Sequence, residues 1–102
     1  MPEAETRTRT RTQERLAPPP LFRVIYLNDD KTSIDFVIDS LMRYFGYDSE
    51  GAEKITVNIH EQGSAVVAVL PFEIAEQKGV EVTLSARANS YPLQIKLEPE
   101  DI

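Results

Sequence analysis

The chain has 102 residues, no cysteine, one histidine and a net charge of −6. Its length allows one small domain and not two. The missing cysteines exclude a disulfide framework, a thiolate metal site and a cysteine nucleophile, and the acidic balance argues against nucleic acid as the main partner, because phosphate contacts need a basic face.

The charge is unevenly placed. Arg7, Arg9, Arg11 and Arg15 against Glu3, Glu5 and Glu14 leave residues 1–15 at +1, and the residues beyond them sum to −7. Such an acidic body suits a partner that brings positive charge. The start of the chain is polar, so no secretory leader is expected. The longest apolar run, residues 65–70, is far too short to span a bilayer. A cytoplasmic protein with no membrane partner is the expectation.

Residues 1–20 read as a disordered N-terminal extension. Thr and Arg alternate over residues 6–12 with no apolar side chain to bury, and Pro18, Pro19 and Pro20 form a stiff spacer. The extension is either a solubilising tail or an arm that touches a partner. The folded core is expected over residues 21–98, with residues 99–102 as a frayed acidic tail.

Residues 21–27, rich in Val, Ile, Phe and Tyr, predict a first strand. Asn28, Asp29 and Asp30 end it abruptly. Thr32 is placed to cap a helix, with Asp35 completing a capping-box pattern. Ile34, Val37, Ile38, Leu41 and Phe45 form one apolar helical stripe, and Gly46 is a natural stop. Asp48 or Ser49 opens a second helix with Ala52, Ile55 and Ile59 inward, ending near His60 and terminated by Gly63.

Residues 64–70 form a second strand, so apolar that a central place in the sheet is expected. Pro71 suits the first turn of a third helix. Phe72, Ala75, Val82 and Ala86 give its stripe, through about Asn89. Gly79 lies on that stripe and is a candidate point of close helix–sheet approach. Tyr91 and Pro92 break the helix, and Leu93, Ile95 and Leu97 alternate with polar residues in a last strand. The order strand, helix, helix, strand, helix, strand predicts an α+β fold in which a three-stranded antiparallel sheet packs against three helices.

Functional residues concentrate in loops held between rigid elements, which draws attention to Asn28, Asp29 and Asp30. An ordinary reading makes them an Asx-type turn at a helix start. The other pairs them with His60, because the end of the first strand and the end of the second helix precede neighbouring parts of the chain. Metal binding by Asp29, Asp30 and His60 has no HxH, HExxH or EF-hand spacing behind it. No Gly-flanked nucleophilic Ser and no Gly-rich phosphate loop is visible. No catalytic residue, metal site or cofactor is therefore assigned.

The segments Val24-Ile25-Tyr26-Leu27-Asn28-Asp29-Asp30-Lys31-Thr32 and Phe36-Val37-Ile38, then His60 with Gly63, resemble the ClpS adaptor family. Phe72-Glu73-Ile74-Ala75-Glu76-Gln77-Lys78, Ala86-Arg87-Ala88-Asn89 and Pro92-Leu93 continue the match. The resemblance implies a fold like that of ClpS and the ribosomal-stalk C-terminal domain. It also implies a non-enzymatic, monomeric adaptor, with no cofactor, for N-degron substrates beginning with Leu, Phe, Tyr or Trp. The adaptor would deliver them to the N-terminal domain of a Clp AAA+ unfoldase, of ClpA or ClpC type, for degradation by ClpP. It implies α-amino binding by Asn28, Asp29, Asp30 and His60. It implies a hydrophobic pocket of Ile34, Val37, Thr56, Ile59 and Leu93 with Thr32 at its rim, and an unfoldase-facing surface at Glu73 and Lys78. A same-fold protein–protein interaction module without N-degron binding is the alternative.

The implied chemistry is coherent. An α-amino group near neutral pH is mostly an ammonium with three donors, and an amide oxygen, a carboxylate and a neutral imidazole supply three acceptors. An internal peptide N–H would leave them unpaired. A protonated imidazole cannot accept, so binding is expected to weaken as pH falls through about 6.5, where an unperturbed histidine titrates. Two positions depart from the family pattern: Ile34 and Thr56 stand where Met is common. A β-branched Ile is stiffer than Met, and Thr is smaller and brings a hydroxyl. A narrower or shifted preference among large first residues is the expectation.

Overall fold

The sheet is organised around its first strand. In the computed structural model, which describes residues 18–100, β1 (Leu21–Leu27) lies between β2 (Ser64–Pro71) and β3 (Gln94–Pro99), antiparallel to both. Helices α1 (Ile34–Phe45) and α2 (Ser49–Gln62) connect β1 to β2, and α3 (Phe72–Ala88) connects β2 to β3. This is the expected α+β order. The expectations for residues 1–17 and for residues 101–102 lie outside the described residues.

One placement differs from the sequence reading. β2 is an edge strand, and β1 takes the centre. Val66 and Val69 on β2 are exposed, whereas Val24, Ile25 and Tyr26 are all buried. A strand paired on both sides is covered by its neighbours as well as by the helices, so three consecutive residues of β1 lose contact with water. The apolar run of β2 contains one residue more than its partner needs. The register jumps between Val24 and Ile25, facing Ala68 and Val66, and the skipped Val67 is buried in the core.

The helix ends follow local chemistry. α1 is capped by Ser33, not Thr32: the Ser33 hydroxyl accepts from the Phe36 N–H at 3.0 Å. The Thr32 hydroxyl is engaged elsewhere, as described below. Gly46, with φ of 75°, ends α1 in the left-handed region that a side chain disfavours. Asp48 caps α2 through the Gly51 N–H at 2.7 Å, and α2 continues past His60 to Gln62. Pro71 closes β2 and stands at the N-cap of α3, one residue before the expected helical position. β3 reaches Pro99, and Glu100 N–H donates to the Leu21 carbonyl at 2.8 Å, so residues 99–100 are paired where a frayed tail was expected.

The core joins Val24 and Tyr26 of β1, Val37 and Leu41 of α1, Ala52 and Ile59 of α2, and Ala75, Val82 and Ala86 of α3. Leu41 is fully buried, and truncating such a side chain to Ala costs about 2–5 kcal/mol. Ile34, the first member of the α1 stripe, is 61% exposed instead. Below it, the Tyr26 hydroxyl and Ser40 Oγ lie 2.8 Å apart in the interior, and Ser40 Oγ donates to the Val37 carbonyl at 2.8 Å. Burial pushes the Tyr26 phenol well above its usual range, the bond to Ser40 opposing this only in part. A neutral, hydrogen-bonded phenol therefore pins the middle of α1 to the central strand.

Candidate functional site

A cleft of about 460 Å³ opens between the β1–α1 turn and the last turns of α2. Binding sites for small ligands run from about 300 to 1,000 Å³, so it can enclose one large side chain and the backbone atoms beside it. It is lined by the polar Asn28, Asp29, Asp30 and His60 and also by Ile34, Val37, Thr56 and Ile59. Thr32 lines it too, together with Lys31 and Ser33, which the sequence did not suggest.

The sheet explains why residues about 30 positions apart meet. β1 ends at Leu27, paired with Ser64, and Asn28 N–H donates to the Gly63 carbonyl at 2.9 Å. The ladder thus continues one residue into the turn. It sets Asn28 against the chain just after α2, whose last turn carries His60.

The three residues of the turn have different work. Asp29 Oδ1 accepts from Lys31 N–H at 2.8 Å and Thr32 N–H at 2.6 Å, and Oδ2 accepts from the Thr32 hydroxyl at 2.8 Å. Burial would push this carboxyl up, but these three bonds, aided by the charge of Arg87, outweigh it and hold the pKa below the usual carboxylate range. Both Asp29 oxygens are committed to the turn itself. Asn28 and Asp30 are exposed, and their side chains accept no hydrogen bond among the described residues. Among those residues, no three His, Cys, Asp or Glu side chains are grouped so as to hold a metal ion.

The apolar end is built from two helices. Val37 and Ile59 are buried and belong to the core, while Ile34 stands at the rim. Thr56 is buried too, and its hydroxyl donates to the Ala52 carbonyl one turn back at 2.8 Å. That hydroxyl is already satisfied, so Thr56 acts toward the cleft mainly as a small side chain. Leu93, expected in the pocket, is 1% exposed and packs in the same core cluster as Val37 and Ile59 without lining the cleft.

Glu73 and Lys78 lie on α3 and do not line the cleft. Glu73 is exposed, and Lys78 Nζ is 3.9 Å from Glu81. A second hollow, of about 280 Å³, lies between α3 and β3 against Gly79, Val80, Leu84, Ile95 and Leu97. Its polar lining is limited to Glu76 and Thr83, so it lacks the acceptor set of the first cleft.

The fold and the cleft define a small α+β domain with a candidate binding site. Comparison with known proteins narrows this. The model of the family described as "ATP-dependent Clp protease adaptor protein ClpS" matches residues 17–96. The ATP-dependent Clp protease adapter protein ClpS of Pectobacterium carotovorum subsp. carotovorum is 41% identical over 96 residues, covering 94% of this chain and 91% of the relative. The protein of the same name from Sodalis glossinidius is 42% identical over 86 residues, covering 84% and 81%. The solved structure of Agrobacterium tumefaciens ClpS2 bound to L-phenylalaninamide superposes with a TM-score of 0.79 at 36% identity, over 81% of this chain and all of that one. The chain belongs to the ClpS family of Clp protease adaptor proteins.

Proposed function

We propose that the cleft binds the free α-amino group and large hydrophobic first residue of N-degron substrates. Leu, Phe, Tyr and Trp are the residues it would take. In this reading Asn28 Oδ1, an Asp30 carboxylate oxygen and an imidazole nitrogen of His60 accept the three ammonium protons, and Asp29 keeps the turn in shape. The first side chain enters against Val37, Thr56 and Ile59, between Ile34 and Thr32 at the rim, with Leu93 supporting the floor from the core.

The observation that carries this reading is a single cleft lined both by the acceptor side chains Asn28, Asp30 and His60 and by the apolar Ile34, Val37 and Ile59. Support comes also from the ligand of Agrobacterium tumefaciens ClpS2: L-phenylalaninamide offers a free amine and a benzyl group. Charge-assisted hydrogen bonds are about twice as strong as neutral ones, and burying a large apolar side chain adds about 1.5–3 kcal/mol. The two ends therefore contribute comparably, and neither an internal Phe nor an N-terminal Gly satisfies both.

In the same reading the domain acts as a monomer in the cytoplasm. It hands its cargo to the N-terminal domain of a ClpA- or ClpC-type AAA+ unfoldase, through the surface around Glu73 and Lys78, for degradation by ClpP. Among the described residues no helix is long and apolar enough to cross a membrane. The decisive test titrates the full chain with a Phe-initiated peptide and with its α-N-acetylated twin. Saturable binding of the first and none of the second is expected; equal binding of both refutes the mechanism.

A further inference from the structure

Arg87 stands in the last turn of α3, exposed at the surface. A basic residue there ordinarily faces the negative end of the helix dipole. Here its contacts go beyond the helix. One nitrogen, Nη1, donates to the carbonyl of Tyr91 at 2.8 Å and to that of Leu93 at 2.9 Å. These carbonyls flank Pro92, which has no N–H of its own, in a segment whose Ser90 adopts a φ of 61° without being glycine. A short, partly strained connection is thus held from within by one guanidinium.

That connection leads into the core that Val37 and Ile59 of the cleft share. Gln94 is the register partner of Leu27 in the last pair of the β1–β3 ladder, so Leu93 and Asn28 are the residues that follow directly on its two strands. The Tyr91 ring packs on Phe36 in the first turn of α1, with centroids 5.2 Å apart, and Tyr91 N–H donates to the Ala86 carbonyl at 2.8 Å. Leu93 then enters the core with Val37 and Ile59. On the other side, the charge of Arg87 is felt at Asp29 and favours its ionised, turn-holding form.

We infer that Arg87 is a positioning residue for first-residue recognition: by fixing the 91–93 carbonyls it holds the Leu93 backbone beside Asn28, and so keeps the amine-binding turn and the floor of the apolar pocket in one arrangement. This rests on the reading of the cleft given above. Arg87 touches no ligand in this arrangement; it acts through Asn28, Asp29 and Leu93.

The test compares the full-length protein with Arg87→Ala and Arg87→Lys in two measurements. The first is the amide NMR spectrum without ligand. Both variants should shift the resonances of residues 28–32 as well as those of residues 89–93, and more in Arg87→Ala. Shifts confined to residues 87–93 overturn the inference. The second is affinity for a Phe-initiated peptide at a temperature well below the unfolding midpoint. Arg87→Ala should weaken it about tenfold, the scale of one charge-assisted hydrogen bond. Arg87→Lys, which keeps the charge but loses the planar fork, should recover part of the loss. Affinity within twofold of the parent in a folded Arg87→Ala overturns the inference. If Arg87→Ala does not fold, Arg87→Lys decides: unshifted residues 28–32 refute the coupling. A parent protein that ignores the Phe-initiated peptide refutes the cleft reading instead, and the ligand-free spectra still judge the coupling.

Discussion

Ile34 offers the sharpest test of how this chain selects its ligand. The side chain opens α1 at the rim of the cleft and is 61% exposed. Ile34→Ala removes the three outermost carbons, each worth about 0.8 kcal/mol when fully buried. A rim position is covered by a bound side chain on one face only. About half of that total, roughly 1–1.5 kcal/mol, should be lost on binding, which is about a five- to tenfold weaker affinity. Because so much of the side chain already faces water in the free protein, stability should change by less than about 0.5 kcal/mol. Fluorescence anisotropy with otherwise identical peptides beginning Phe, Leu, Tyr, Trp, Ile and Val measures the first quantity, and thermal unfolding the second. Ile34→Met tests the shape argument with the same series: a flexible thioether should flatten a profile that the stiff β-branched side chain makes steep. An Ile34→Ala protein that binds every peptide like the parent refutes the placement of the rim, and a parent profile already flat across the six refutes its role in selectivity.

The remaining predictions separate the residues of the polar end. His60→Ala should weaken binding of a Phe-initiated peptide about tenfold, by removing one of the three proposed acceptors; unchanged affinity removes His60 from the acceptors. Asp29 acts on stability instead. Its pKa is held below the ordinary carboxylate range, so its stabilisation is complete above the unfolded pKa, and is lost only as pH falls through the lower folded value, in strong acid. Asp29→Asn should therefore lower the unfolding midpoint by a few degrees, for about 1 kcal/mol, while Asp30→Asn should leave the midpoint alone and weaken peptide binding; the reverse pattern in calorimetry and titration would reassign the two carboxylates. Gly79→Ala should stabilise the domain by about 1 kcal/mol, raising the midpoint by about 4–8 °C, because an added Cβ meets only Ile95 Cγ2 at 3.7 Å, an ordinary contact; a lower midpoint would mean that α3 and β3 need the close approach that the sequence suggested.

The fold was legible wherever the information was local. Period-3.6 stripes marked the three helices, period-two alternation marked β3, β-branched and apolar runs marked β1 and β2, and Gly46 and Gly63 marked two helix ends with positive φ. What escaped was what neighbouring residues compete for. Thr32 and Ser33 are both good caps, and the choice between them is made by Asp29, whose carboxylate claims the Thr32 hydroxyl and N–H. The place of β2 was misread because an apolar composition records burial somewhere along a strand, not the number of neighbours it has. Periodicity sets Ile34 on the apolar stripe of α1, only the resemblance implies a pocket role, and its position at the first turn of the helix leaves it uncovered.

The candidate site divides along the same line. Asn28, Asp30 and His60 were legible as a group because strand order brings the ends of adjacent elements together, and the Asn28–Gly63 bond is the physical form of that rule. Arg87 was not, because its signal is a basic residue near a helix end, a common surface feature, and its partners are backbone carbonyls with no side-chain signature. The division of Asp29 from Asp30 was hidden for a related reason. Two adjacent aspartates look alike in a sequence, yet an Asx turn consumes every acceptor of the first and none of the second. The plain capping-turn reading and the ligand-binding reading of this tripeptide are therefore not rivals: Asp29 builds the turn, and a built turn is what allows Asn28 and Asp30 to face the cleft unpaired.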